Sequence, residues 1–161
     1  MVETQAELVI ERTFDAPREK MWQAWTDGEK QRSWWGPKTY TAPSVTIDLR
    51  VGGKYLGVMR SPEGRDYWST GVYRKIEPMS YLEMTDSFAD EKGNVVSVAY
   101  YGMESDYPME LLVQVTFEDV GRQTHMKLKH IGFPAGELLE QCKIAWGESF
   151  DKLADILKKS S

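Results

Sequence analysis

The sequence predicts an α+β domain in which a curved antiparallel sheet of six to seven strands wraps one long C-terminal helix. Three observations carry this. From Thr39 to His130 apolar residues recur with period two, interrupted only by turn-forming residues. From about Ala135 to Lys158 the period lengthens, and Leu139, Cys142, Trp146, Phe150, Leu153 and Leu157 fall on one stripe with charges opposite. Ahead of both lies a strand followed by two short helical segments. A single helix cannot cover that many strands lying flat, so the sheet must curl around it.

The elements follow in order. Glu7 to Phe14 alternates as a half-buried strand, with Leu8, Ile10 and Phe14 on one side. Asp15-Ala16-Pro17 starts a helix, Asp15 or Ala16 standing near the cap and Pro17 in the first turn. A second short helix follows Thr26-Asp27 and stops at Trp34-Trp35-Gly36-Pro37. Val45, Ile47 and Leu49 then share a strand face, and Gly52-Gly53 turns the chain into Lys54 to Arg60. Ser61-Pro62-Glu63-Gly64, Pro78-Met79 and Asp90 to Asn94 are the next turns, and between them run strands Tyr67 to Ile76 and Tyr81 to Phe88. After an aromatic, irregular stretch from Tyr100 to Pro108 come strands Met109 to Phe117 and Gln123 to His130. Nothing resembles a linker or a repeat, so residues 1–161 form one domain with an ordered core over about 7–158.

Composition removes several classes of function. The net charge of −5 and the lack of a basic stripe argue against a nucleic-acid partner. No apolar run approaches the roughly 20 residues of a membrane span. The single cysteine, Cys142, cannot close an internal disulfide, and the acidic start is unlike a signal peptide, so a reducing cytoplasmic setting is expected. Six tryptophans are compatible with a monomer or a homodimer.

The inward strand faces bear on whether the interior is filled. Tyr55, Gly57 and Met59 share a face, and Gly57 leaves a dent where a filled core needs bulk. Met84, Val113 and Met126 supply an adaptable lining on later strands, and Trp68 and Tyr73 offer indole and hydroxyl groups. Tyr73 and Ile76 have opposite parity, so one faces outward unless a bulge intervenes. On periodicity alone, close packing of these residues is favoured over an enclosed cavity.

An ordered series of motifs carries a resemblance. It comprises Asp15-Ala16-Pro17, Trp25-Thr26-Asp27, Trp34-Trp35-Gly36-Pro37, Asp48 to Gly53, Gly71-Val72-Tyr73 with Ile76-Glu77-Pro78, Tyr101-Gly102-Met103, Val115 to Glu118, and Trp146 to Leu153. In this order they resemble the SRPBCC, or START-like, superfamily, and within it the group named after activators of the heat-shock chaperone ATPase. The resemblance spans about Glu7 to Lys158. It implies the helix-grip fold, also that of the birch-pollen allergen, with a hydrophobic pocket between sheet and C-terminal helix. On that expectation the cavity candidates are Trp35, Tyr55, Gly57, Met59, Trp68 and Tyr73, joined by Met84, Tyr101, Met103, Val113 and Met126, and by His130, Cys142 and Trp146.

The residues name no reaction. Ser149-Phe150-Asp151-Lys152 matches the S-x-x-K of penicillin-recognising serine enzymes, but the companion motifs are missing and the match is coincidental. His125 and His130 point to opposite strand faces and cannot chelate together, so no metal, cofactor or catalytic residue is assigned. His130 has two readings, a histidine satisfied by a strand-end carbonyl or a group that orients a ligand or transfers a proton. The leading expectation is binding of a small hydrophobic or aromatic molecule, lipids included, without a cofactor. An alternative is a cyclase- or aromatase-type enzyme, which needs two polar groups converging in the cavity. A further alternative is a co-chaperone or stress-response interaction module, with a chaperone partner implied by the family name alone. The 100–108 stretch suits a lid and an interaction surface equally well.

Overall fold

A computed structural model describes residues 5–102, 107–134 and 136–159. Strand β1 (Gln5–Phe14) leads into helix α1 (Arg18–Thr26) and the single turn α2 (Gly28–Gln31). Six strands follow: β2 (Val45–Ile47), β3 (Lys54–Arg60), β4 (Asp66–Glu77), β5 (Tyr81–Ala89), β6 (Leu111–Val120) and β7 (Gln123–Pro134). Helix α3 (Glu137–Lys159) closes the chain, and a 3₁₀ turn (Val98–Tyr101) sits between β5 and β6. The strands form one antiparallel sheet in the order β1-β7-β6-β5-β4-β3-β2. Each neighbour but β1 and β7 is also the next strand in sequence, so the sheet is a meander that the first strand completes by pairing with the last.

Local chemistry explains the boundaries. Helix α1 starts after Pro17, whose extended backbone makes it the cap rather than a first-turn residue. The Asp27 carboxylate accepts from the amides of Glu29 and Lys30 and so starts α2, which ends at Gln31, earlier than the tryptophan pair. Strand β2 ends at Ile47, and Leu49 is exposed because the 48–53 segment has already turned to bond with Tyr73. Met109 is likewise exposed and precedes β6. The parity conflict between Tyr73 and Ile76 is resolved by a register shift between Tyr73 and Lys75, so Tyr73 is buried and Ile76 still packs on the core. Gly71 makes this pairing close. A Cβ there would stand 1.9 Å from the Thr85 carbonyl oxygen and 2.5 Å from the Tyr55 ring.

The helix packs on the neighbouring strands β1 and β7. Phe150 of α3 meets Phe14 of β1 edge to face, and Trp146 meets His130 of β7. One end of the interior is solid with rings: Trp25, Trp34, Phe117 and Phe150 lie within 6.5 Å of one another in successive pairs, and all are buried. The other end is not filled.

Candidate binding site beneath the C-terminal helix

A cavity of about 190 Å³ lies under the first half of α3. Its roof is one helix face, Cys142, Ala145, Trp146 and Ser149, at three-to-four spacing. Met59 of β3, Ser69 of β4, and Asp86 and Phe88 of β5 form the floor. Trp35 with Gly36 and Pro37 closes one side, and His130 and Tyr107 the other. An apolar cavity of roughly 150 Å³ holds one benzene ring, so this space matches a one- or two-ring molecule.

The polar groups in this aromatic shell are linked. Trp146 Nε1 lies 3.1 Å from His130 Nδ1. An indole nitrogen only donates, so Nδ1 accepts and the imidazole proton sits on Nε2. Nε2 in turn lies 3.0 Å from Asp86 Oδ2, but the N–H points off that line, so the contact is electrostatic rather than an aligned hydrogen bond. The Tyr55 hydroxyl donates to Asp86 Oδ1 at 3.0 Å and also reaches the Thr85 carbonyl at 3.3 Å. His130 is 3% exposed, whereas the Asp86 side chain is 16% exposed, so the carboxylate is the member of the pair that faces open space. Burial, and secondarily the Asp86 charge, pushes the Tyr55 and Tyr107 hydroxyls well above the usual tyrosine range and the Cys142 thiol up to about 11. The Trp35 indole N–H is also buried with no hydrogen-bond partner.

The 35–40 segment is fastened to α3 by the residues that mimic a serine-enzyme motif. The Ser149 hydroxyl donates to the Gly36 carbonyl at 2.7 Å. The Lys152 ammonium donates to the carbonyls of Trp35, Pro37 and Tyr40 at 3.1 to 3.3 Å. Burial lowers the Lys152 pKa, with Glu148 opposing. Gly36 adopts φ 93° and presses on Met59, where a Cβ would come within 3.3 Å of the thioether. These contacts hold the Trp35 ring edge-on to Trp146 at 5.6 Å.

Of the candidates from the sequence, Trp35, Met59, His130, Cys142 and Trp146 converge on this cavity. The other described candidates do not line it. Gly57 lies behind Trp35, and a Cβ there would meet Val45 at 3.5 Å and Trp35 Nε1 at 3.9 Å, so the dent is already occupied. Tyr55 supports Asp86 from behind, and Tyr73 packs on Tyr55. Met84, Val113 and Met126 are buried in the filled core. The Tyr101 hydroxyl donates to the Ala89 carbonyl and accepts from the Trp68 amide, which fixes the 3₁₀ turn outside the cavity wall. Met103 and the middle of the 100–108 stretch lie outside the described residues. His130 is satisfied by the Trp146 side chain, not by a strand-end carbonyl. His125, on the opposite face, pairs with Glu11 at 3.1 Å.

Asp86 was the residue that sequence reasoning missed. Its signal was parity: Leu82, Met84, Asp86 and Phe88 alternate along β5, which puts a carboxylate in line with core residues. Ala145 and Ser149 were visible in the same way, three positions after Cys142 and Trp146 respectively.

A seven-stranded antiparallel sheet closed over a long C-terminal helix, with a hollow between them, is the helix-grip fold of the START-like (SRPBCC) superfamily. Solved structures with this fold align over almost all of the chain. The AHSA1 protein from Silicibacter pomeroyi is 25% identical with a TM-score of 0.77, covering 97% of this chain and 100% of its own. A protein from Arthrobacter aurescens is 26% identical with a TM-score of 0.76, covering 95% of this chain and 86% of its own. One from Nitrosomonas europaea, 21% identical with a TM-score of 0.76, covers 96% and 95%. No curated protein matches the chain. The protein belongs to the family of Activator of Hsp90 ATPase homolog 1-like proteins, whose sequence model matches residues 15–158.

Proposed function

We propose that the protein binds a small aromatic or otherwise apolar molecule in the cavity beneath α3. The observation that carries this reading is a carboxylate, backed by a buried histidine, facing an aromatic-walled space of about 190 Å³. Apolar walls with a few convergent polar groups are what ligand sites consist of, and a core built only for packing has no use for Asp86 at that wall. The volume suits one or two rings, while an acyl chain of lipid length would have to leave through the open side. Family membership adds to the reading, because folds of this superfamily commonly bind hydrophobic ligands.

An enzymatic reading has one observation in its favour, the convergence of His130 and Asp86. Against it, Nδ1 already accepts the Trp146 N–H, so the ring cannot take a substrate proton unless that bond breaks. Binding without turnover is therefore the better account. The chaperone reading rests on the family's name.

The test is calorimetric titration of the full chain with a one-ring compound, benzyl alcohol, together with mass spectrometry of an organic extract of natively purified protein. Saturable one-to-one binding, abolished in Ala145→Trp while the variant keeps its fold, is the expected result. Equal binding by wild type and Ala145→Trp would place the ligand elsewhere and end this reading.

A further inference from the structure

The cavity carries a negative charge that nothing around it neutralises, and we propose that it selects small apolar amines, bound as ammonium ions on Asp86 with their ring against Trp35 and Trp146. The inference rests on the reading of the cavity as a ligand site and names the chemical class of its ligand.

Four observations lead there. Among the described residues, no lysine or arginine lines the cavity. On the helix, Lys143 beside Cys142 is exposed, and Lys152, three positions past Ser149, has its ammonium turned to three backbone carbonyls. His130 cannot serve as the counter-charge, because an imidazolium would set an Nδ1–H against the Trp146 indole N–H at 3.1 Å, donor facing donor. Tyr55 does not account for the carboxylate either, since its hydroxyl also reaches the Thr85 carbonyl.

Asp86 therefore keeps spare acceptor capacity. One oxygen takes the Tyr55 hydroxyl, the other lies beside a misaligned Nε2–H, and a carboxylate offers about four lone-pair sites. The walls favour the same ligand. Cations are drawn to the faces of tryptophan more than to other rings, and Trp35 and Trp146, in edge-to-face contact at 5.6 Å, both border this space. A charge-assisted bond to Asp86 then adds what a neutral hydroxyl cannot supply. A carboxylate ligand meets repulsion at the same point, so fatty and aromatic acids are selected against. The Ser69 hydroxyl on the floor is a further acceptor for an ammonium group.

Three compounds of one size separate the possibilities: benzylamine, benzyl alcohol and benzoate, each titrated calorimetrically into the full chain at pH 7. Benzylamine should bind at least about tenfold more tightly than benzyl alcohol, and benzoate should not bind. In D86N the margin should close to about twofold, with benzyl alcohol still binding. Alcohol or benzoate binding as tightly as the amine would overturn the proposal and leave the cavity reading standing. An amine margin that survives in a folded D86N would overturn the role of Asp86. If none of the three binds, the proposal and the cavity reading fall together. The wild-type comparison decides even if D86N does not fold.

Discussion

The two halves of α3 do different work, although both present an apolar stripe. In the second half Phe150, Leu153 and Leu157 are buried to within 4% and belong to the filled core. In the first half Leu138, Leu139, Cys142 and Trp146 are only partly buried, and beneath Cys142 and Trp146 lies a cavity. The boundary is Ser149 and Lys152, where the helix is tied to the 35–40 segment. A continuous hydrophobic stripe thus serves as an anchor at one end and a roof at the other. Periodicity reports that a face is covered, and not whether side chains of the same molecule do the covering.

The contrast is open to direct tests. Phe150→Ala should cost about 3–5 kcal/mol, the usual range for deleting a closely packed ring, whereas Cys142→Ala should cost under about 1 kcal/mol because its neighbour is already empty space. Urea unfolding measures both, and equal losses would erase the distinction between anchor and roof. The Cys142 thiol sharpens it chemically. Its pKa is pushed from near 9 up to about 11, so at pH 8 it holds about a hundredfold less thiolate than an ordinary cysteine. Iodoacetamide should therefore react with the folded protein at least about tenfold more slowly than with the denatured chain. By the same shift the thiol supports the folded state below about pH 9, and that support fades as pH rises toward 11. At the boundary, Lys152→Met strips three carbonyls of their donor and should cost about 2 kcal/mol while weakening ligand binding, since the Trp35 wall loses its fastening. The smallest effect is the tautomer: nitrogen NMR of His130 at pH 7 should find its proton on Nε2, and a proton on Nδ1 would remove the Trp146 bond from the account.

Much of this architecture is written in local pattern. Strands β3 to β7 fall where period-two alternation and Gly, Pro and Asx turns place them, because each is an interior strand whose inward face must be apolar. Leu49 and Met109 misled for the opposite reason, as isolated apolar residues at strand ends carry no information about pairing. The site was harder to read. Trp146, Cys142 and His130 lay on recognised faces, but Asp86 was hidden by the expectation that inward positions are apolar. Gly57 illustrates the remaining limit. A glycine on a strand marks close approach, and here the approaching group is Trp35, twenty-two positions earlier, which no short-range pattern reveals. The Ser149–Lys152 tetrapeptide belongs to the same class, a short motif whose meaning is set by the loop it happens to face.

The most direct test of the central claim follows the six tryptophan indole N–H signals in a proton–nitrogen correlation spectrum while benzyl alcohol is added. Trp35 and Trp146 border the cavity, whereas Trp22, Trp25 and Trp34 belong to the filled core and Trp68 lies beside the 3₁₀ turn. The account predicts saturable shifts at Trp35 and Trp146, with the other four moving far less. Saturating ligand that leaves Trp35 and Trp146 in place, or that moves Trp22 and Trp68 instead, would contradict it.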